Sequence, residues 1–290
     1  MRSYILLFIV SVCMLPASRI AAQETVITYE LGDFTVSTLS DGGQNAGSDM
    51  LVGATPEILK TYLPEGTFPL EIQSFLVRTP DRTVLIDAGV GTNLSRNLQS
   101  LEVAEDGVHV ILLTHMHGDH IGGLLREGKK VFTKAELYVA KAEYDYWVNE
   151  KERGADARKV LEAYRDKLHV FVPGEPENPA ALFPGFQAVA AYGHTPGHTS
   201  FLIESRKSRL LIWGDIVHST PIQFPRPEVS LTVDYDRREA AETRKKIFEY
   251  VTKNRIRVAG AHIKFPAIGN VTAGKKEGYE FTAVCTCEAI

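Results

Sequence analysis

Cysteine is scarce, with three in 290 residues, too few for a disulfide framework to hold the fold. An excess of one charge is missing too. Thirty-two Lys and Arg against 36 Asp and Glu leave a net charge of −4, with no basic field to gather nucleic acid or anionic lipid. Aromatic residues make up only 9%, with 23% charged and 44% hydrophobic, a balance that excludes collagen-like, coiled-coil and wholly disordered classes. There is no internal repeat and no low-complexity tract. The most linker-like stretch, residues 173–179, reads as a surface loop.

Long apolar runs are absent except at the start, where Arg2 precedes a run from Tyr4 to Val10 that continues through Leu15. A stable membrane-crossing helix needs roughly 20 such residues, so this run is too short. A basic start, a short apolar centre and the small pair Ala21-Ala22 read instead as a secretory signal peptide over residues 1–22. A single domain over residues 23–290 follows from that cut. The competing reading is a lipoprotein anchor at Cys13, against which Val12 is a bulky neighbour. Losing Arg2 and Arg19 takes the net charge to −6. The expectation is a periplasmic or extracellular protein with no stable membrane association once processed. Cys285 and Cys287 sit near the C-terminus and receive no catalytic role.

Strand-like runs occupy residues 26–30, 34–39, 71–78 and 83–87, the last two joined by the turn Thr79-Pro80-Asp81-Arg82 and so expected as an antiparallel pair. Further strands are expected at 109–114, 137–140, 186–191, 200–204, 210–213 and 256–261. Helices are expected at 141–149, 156–167 and 237–253, the last with Ala240, Ile247, Phe248 and Val251 on one face. Strands in blocks with helices between them give an α/β class, sheets covered by helices.

The chemistry concentrates in Thr114-His115-Met116-His117-Gly118-Asp119-His120. Three imidazoles and a carboxylate so close together repel one another's protons unless a cation organises them, and imidazole with carboxylate suits zinc and similar divalent ions. Downstream, His198 lies in Gly193-His194-Thr195-Pro196-Gly197-His198, Asp215 follows a strand in Trp213-Gly214-Asp215, and His262 ends one in Gly260-Ala261-His262. Five histidines and two aspartates suffice for two ions sharing one carboxylate. His194 reads as a turn-stabilising residue, and His109 and His169 as ordinary strand or surface histidines.

His115-x-His117-x-Asp119-His120, followed in order by His198, Asp215 and His262, resembles the metallo-β-lactamase superfamily. The resemblance runs from about residue 25 to 284. It implies a four-layered αββα sandwich with the metals at one edge of the two sheets. Ile86-Asp87-Ala88-Gly89 matches an aspartate that supports the metal loop. Several segments are similar to the branch holding methyl parathion hydrolase and N-acyl-homoserine lactonases: Gly214–His218, Gln223–Val229, Asp234-Tyr235-Asp236, Ala240-Ala241 and His262–Gly269. The sequence departs from relatives at Asn270 and in its cysteine-bearing tail.

That resemblance implies two Zn(2+) per chain, the first held by His115, His117 and His198 and the second by Asp119, His120 and His262, with Asp215 bridging. A bridging hydroxide would open a lactone ester, most readily an N-acyl-homoserine lactone, in quorum quenching. Asp119 would shuttle a proton and His218 would donate a hydrogen bond to the substrate carbonyl. Candidate walls for an acyl pocket are Phe68 with Leu70 and Tyr144 with Trp147. The alternatives are an organophosphate or aryl-ester hydrolase in the same site, and a metal-binding protein without catalysis. The expected partner is a small lactone or ester and no nucleic acid; a homodimer is an expectation of the resemblance alone.

Overall fold

In the computed structural model, which describes residues 24–150, 152–275, 277–285 and 290, alternation along the strands sorts side chains between two cores. Val84, Ile86, Val110 and Leu112 point one way, against Phe186, Phe201, Ile203, Leu210, Ile212 and Val258 of a facing sheet. Their neighbours Leu85, Ile111, Leu137 and Val139 point the other way and pack with Leu94, Leu98, Trp147, Val160 and Leu161 from helices. A strand buried on both faces needs such a continuous apolar run, which is why these segments lack the polar alternation of an exposed sheet.

The first sheet is made of β1 (Val26–Leu31), β2 (Phe34–Gly47), β3 (Thr67–Arg78), β4 (Thr83–Ile86), β5 (Val110–Leu112), β6 (Glu136–Ala140) and β7 (Leu168–Phe171), side by side in chain order. β1 to β4 are antiparallel neighbours, whereas β4 to β7 pair in parallel. The second sheet is again in chain order: β8 (Ala180–Phe183), β9 (Phe186–Ala190), β10 (Thr199–Ser205), β11 (Ser208–Ile212), β12 (Arg257–Ala259), β13 (Ile268–Ala273) and β14 (Tyr279–Ala283). Only β11 and β12 are parallel there. Outside the two sheets lie helices α1 (Pro56–Tyr62), α2 (Leu94–Ser100), α3 (Gly118–Ile121), α4 (Lys141–Asn149), α5 (Ala155–Tyr164), α6 (Thr220–Gln223) and α7 (Arg237–Asn254), and two short ladders, Leu51–Val52 with Ser230–Leu231 and Leu125–Arg126 with Lys129–Lys130. α2, α4 and α5 cover the outer face of the first sheet; α7 packs Ile247, Phe248 and Val251 on the second. The architecture is a mixed α/β sandwich of the αββα kind.

The expected β3–β4 hairpin forms, with the Thr79 amide donating to the Arg82 carbonyl at 2.9 Å. α7 begins where Asp236 caps it by accepting the Glu239 amide at 2.9 Å, and stops at Arg255, whose φ of 51° is left-handed. Two expected strands are shorter than their apolar runs, because the chain leaves the sheet at Leu112 and at Ala259 to enter loops. Residues 1–22, including Cys13, and Cys287 lie outside the described residues; Cys285 is exposed. Among the described residues no helix is long and apolar enough to cross a membrane.

Candidate metal centre

Four loops leave the C-terminal ends of β5, β9, β11 and β12 on the same edge of the sandwich. They carry, respectively, His115 to His120, His194 with His198, Asp215, and His262. The first loop is gripped from β4's end by Asp87, a non-glycine residue held at φ 57°. Its carboxylate accepts from the Thr114 amide at 2.8 Å, the Thr114 hydroxyl at 2.7 Å and His120 Nδ1 at 2.8 Å. A left-handed aspartate of this kind stores backbone strain that its three hydrogen bonds offset. Gly214, at φ 59°, leaves room for His198, whose Nε2 would lie 2.7 Å from any Cβ placed there.

Back-side hydrogen bonds fix which nitrogen of each ring faces the centre. Thr114 Oγ1 gives its hydrogen to Asp87, so at 3.1 Å it accepts from His115 Nδ1. His194 Nδ1 donates to Asp234 Oδ1 at 2.8 Å, and His262 Nδ1 to the Glu71 carbonyl at 2.7 Å. With His120 Nδ1 committed to Asp87, the Nε2 atoms of all four rings are left bare and face inward.

They converge in two groups on one carboxylate. His115 Nε2 and His194 Nε2 lie 2.9 and 3.0 Å from His117 Nδ1, and 3.6 and 3.2 Å from Asp215 Oδ2. On the other side, Asp119 Oδ2 is 3.9 Å from His120 Nε2 and 3.5 Å from His262 Nε2. Asp215 Oδ1 faces His120 Nε2 at 3.1 Å, while Oδ2 lies 3.0 Å from His262 Nε2. His218 adds Nε2 at 3.0 Å from Oδ2 and stacks its ring on His262.

This donor set fits divalent cations. Among the described residues, His120 Nε2 and Asp215 Oδ1 are buried and have no hydrogen-bond partner despite their proximity. Bare imidazole nitrogens at about 3 Å from one another repel unless a proton or an ion lies among them. Three overlapping groups, one of His115, His117, His194 and Asp215, one of Asp119, His120 and His262, and one of Asp215, His218 and His262, therefore offer capacity for one or two ions.

The charge balance without an ion points the same way. Burial, with His120 beside it, holds His115 well below the usual imidazole range; burial and His194 take His117 down to about 3. Burial also opposes protonation of His194, but the Asp215 and Asp234 carboxylates outweigh it and raise the group to about 9. His120 and His262 are raised against their burial chiefly by Asp215, and Asp215 is pushed far down against its own burial by His120 and His262. Without an ion, the negative charge of Asp215 favours protons on the imidazoles around it, the same attraction that a cation would use.

His198 is a correction to the sequence reading. Its Nδ1 donates to the Ala191 carbonyl at 3.0 Å and its Nε2 accepts the Asp215 amide at 3.0 Å, so neither nitrogen is free to ligate. His194 occupies the expected position instead. The two histidines flank one turn, and their spacing alone does not tell which faces the centre. Behind both loops sits Glu143 of α4, which accepts from the Met116 amide, Thr195 hydroxyl, Gly197 amide and Trp147 indole. Nothing in the sequence pattern singled it out. Burial pushes its carboxyl above the usual range, with those hydrogen bonds pulling the other way.

A cavity of about 340 Å³ opens over the centre, lined by Asp119, His218 and His262 at its floor, Met50, Leu70 and Val233 on its walls, and Arg153. Of the expected acyl walls only Leu70 reaches it; Phe68 is buried in a separate cluster with Ile58 and Ile222, and Trp147 packs edge-on to His117.

The model of the metallo-β-lactamase superfamily matches residues 67–262, more than half of the chain. The chain belongs to the metallo-β-lactamase superfamily. This superfamily member is 29% identical over 168 residues to the anti-Pycsar protein Apyc1 of Paenibacillus sp. (strain J14), covering 56% of this chain and 64% of that protein. Against an N-acyl homoserine lactonase of Bacillus cereus it is 25% identical over 178 residues, covering 52% of this chain and 66% of the relative. Both matches span just under two thirds of the relative's length. Two solved structures align over 90% of the chain: AidC, a dizinc quorum-quenching lactonase, with TM-score 0.82, 25% identity and 97% of its own chain covered, and the hydrolase AbOPH, with TM-score 0.79, 28% identity and 98% covered.

Proposed function

We propose that this metal-dependent hydrolase is a dinuclear zinc enzyme that opens lactone rings, N-acyl-homoserine lactones foremost. The observation that carries the reading is the pair of ligand clusters meeting at Asp215 beneath an apolar-walled cavity. Bound divalent ions would supply a Lewis acid and water of lowered pKa. His115, His117 and His194 would hold one, and Asp119, His120 and His262 the other. The rest falls to the chain's own residues. Met50, Leu70 and Val233 give an acyl chain an apolar wall, in a volume within the range of small-ligand sites. Asp119 has a side chain about one-third exposed and faces the cavity, where it can take a proton and return it to the departing alkoxide. His218, on the same floor, is the donor proposed for the carbonyl oxygen. The likeness to AidC supports a small lactone as substrate. Export through residues 1–22 belongs to the same proposal, and N-terminal sequencing of the mature protein tests it.

The deciding experiment is proton release by zinc-loaded protein mixed with N-acyl-homoserine lactones of several chain lengths. Rapid release abolished by a chelator is expected. A protein with two ions bound that leaves every lactone intact would overturn the lactone reading, and phosphotriesters and aryl esters would then be assayed on the same preparation.

A further inference from the structure

We propose that Glu143 is a positioning residue that registers the loop carrying His117 against the loop carrying His194, and so sets the affinity of one of the two cation positions and not the other. The inference rests on the two-ion reading above.

The side chain is 1% exposed and comes from α4, an element that supplies no ligand. One carboxylate oxygen accepts the Met116 amide at 2.9 Å and Trp147 Nε1 at 2.5 Å; the other accepts Thr195 Oγ1 at 2.6 Å and the Gly197 amide at 3.0 Å. Met116 lies between His115 and His117, and Thr195 directly follows His194. Each oxygen therefore pins a different ligand loop, and those loops come from opposite sheets. The Trp147 ring, fixed by the same carboxylate, stands edge-on to His117 with centroids 5.6 Å apart. Approach is close: a Cβ on Gly197 would fall 2.0 Å from the Glu143 amide nitrogen.

Three of the four donors are N–H groups that can only donate, so the arrangement suits the carboxylate ion. Among the described residues, none of its hydrogen-bond partners is a Lys, Arg or His. The other cation position relies on different supports, His120 on Asp87 and His262 on the Glu71 carbonyl. Replacing Glu143 by glutamine keeps the volume but turns an NH₂ either toward the Met116 and Trp147 N–H groups or toward the Gly197 N–H and the Thr195 hydroxyl; only the hydroxyl can turn to accept, so at least one N–H that registers a loop loses its partner whichever way the amide is oriented.

Cobalt(II) uptake in competition with a chelator, followed by the absorption of each bound equivalent, tests the proposal. Wild-type protein should take up two equivalents. In Glu143→Gln one equivalent should weaken by roughly 10- to 100-fold, the range for loss of a group that orients a ligand, while the other keeps its affinity. Combining E143Q with His262→Ala should remove both equivalents, and combining it with His194→Ala no more than one. Two equivalents of wild-type affinity in E143Q, or equal weakening of both, would overturn the proposal. If E143Q does not fold, Thr195→Val removes one of the four hydrogen bonds, and the same selective weakening, smaller in size, must appear. A T195V protein binding both ions as wild type would overturn it equally. Wild-type protein that takes up no cobalt would instead reject the two-ion reading, and this proposal with it.

Discussion

Asp234 holds His194 from behind, its Oδ1 2.8 Å from His194 Nδ1, while its Oδ2 accepts the Leu231 amide at 2.7 Å. The orientation of His194 is thus fixed by a turn lying 40 residues away in sequence. His198, four positions on, is held by main-chain groups alone. The two histidines should accordingly answer differently to removal. His194→Ala is expected to lose one metal equivalent and, in metal-free protein below about pH 9, the stability that its carboxylate-held proton contributes. His198→Ala should keep both equivalents and lose roughly 2–4 kcal/mol of stability, since it leaves a buried amide and carbonyl without partners. Metal analysis with chemical denaturation of both variants separates the two outcomes.

Metal-free protein should be most stable near pH 6.5. His194 titrates at about 9 when folded against 6.5 in the open chain, so its contribution is complete below 6.5 and is lost as the pH climbs through 9. His117 and His198, at about 3, and His218, at about 4, run the other way: buried neutral, they cost stability as the pH falls below 6.5. Thermal melts of chelator-treated protein from acid to alkaline pH check this. A melting temperature still rising at pH 9 would contradict the His194 arm, and zinc should flatten that arm by replacing the proton.

Asp215→Ala removes the one carboxylate common to both clusters. Both ions should be lost at moderate chelator concentration, and kcat/KM on any substrate the wild type turns over should fall by more than about 100-fold. Near-native turnover with two ions retained would show that Asp215 does not bridge them.

Arg244 is 1% exposed on α7 and, among the described residues, has no carboxylate within ion-pair distance. It donates instead to the carbonyls of Ile216 at 2.6 Å, Pro227 at 2.8 Å and Val229 at 2.9 Å, and burial lowers its pKa to about 10. Arg244→Met strands the Ile216 and Pro227 carbonyls and leaves that of Val229 with Gln223 Nε2 alone. A loss of roughly 3 kcal/mol or more in chemical denaturation is expected.

The strands and the ligand-bearing loops were legible because periodicity and residue type are local properties. α7 was readable for the same reason, its apolar stripe giving 237–253 where the helix runs Arg237–Asn254. Two classes of feature were not. The short α1 carries its own signals, Thr55 as cap, Pro56 and Glu57 in the first turn, but at seven residues it is too brief for periodicity to show. The choice between His194 and His198, and the grip of Glu143 on both loops, depend on contacts 27 to 54 residues apart in sequence. Such pairings exist only once the sheets face each other. Arg244 shows the same limit, since a cation on the buried face of a helix contradicts the pattern until its three carbonyl partners are in place.

Each sheet is built from one continuous half of the chain, strands of residues 26–171 in the first and 180–283 in the second. The candidate ligands divide the same way, with His115, His117, Asp119 and His120 on one half and His194, Asp215 and His262 on the other. Neither half holds a complete set for either ion. Cations bound there would rivet two half-molecules together, so the free energy of loading is also adhesion across the seam between the sheets.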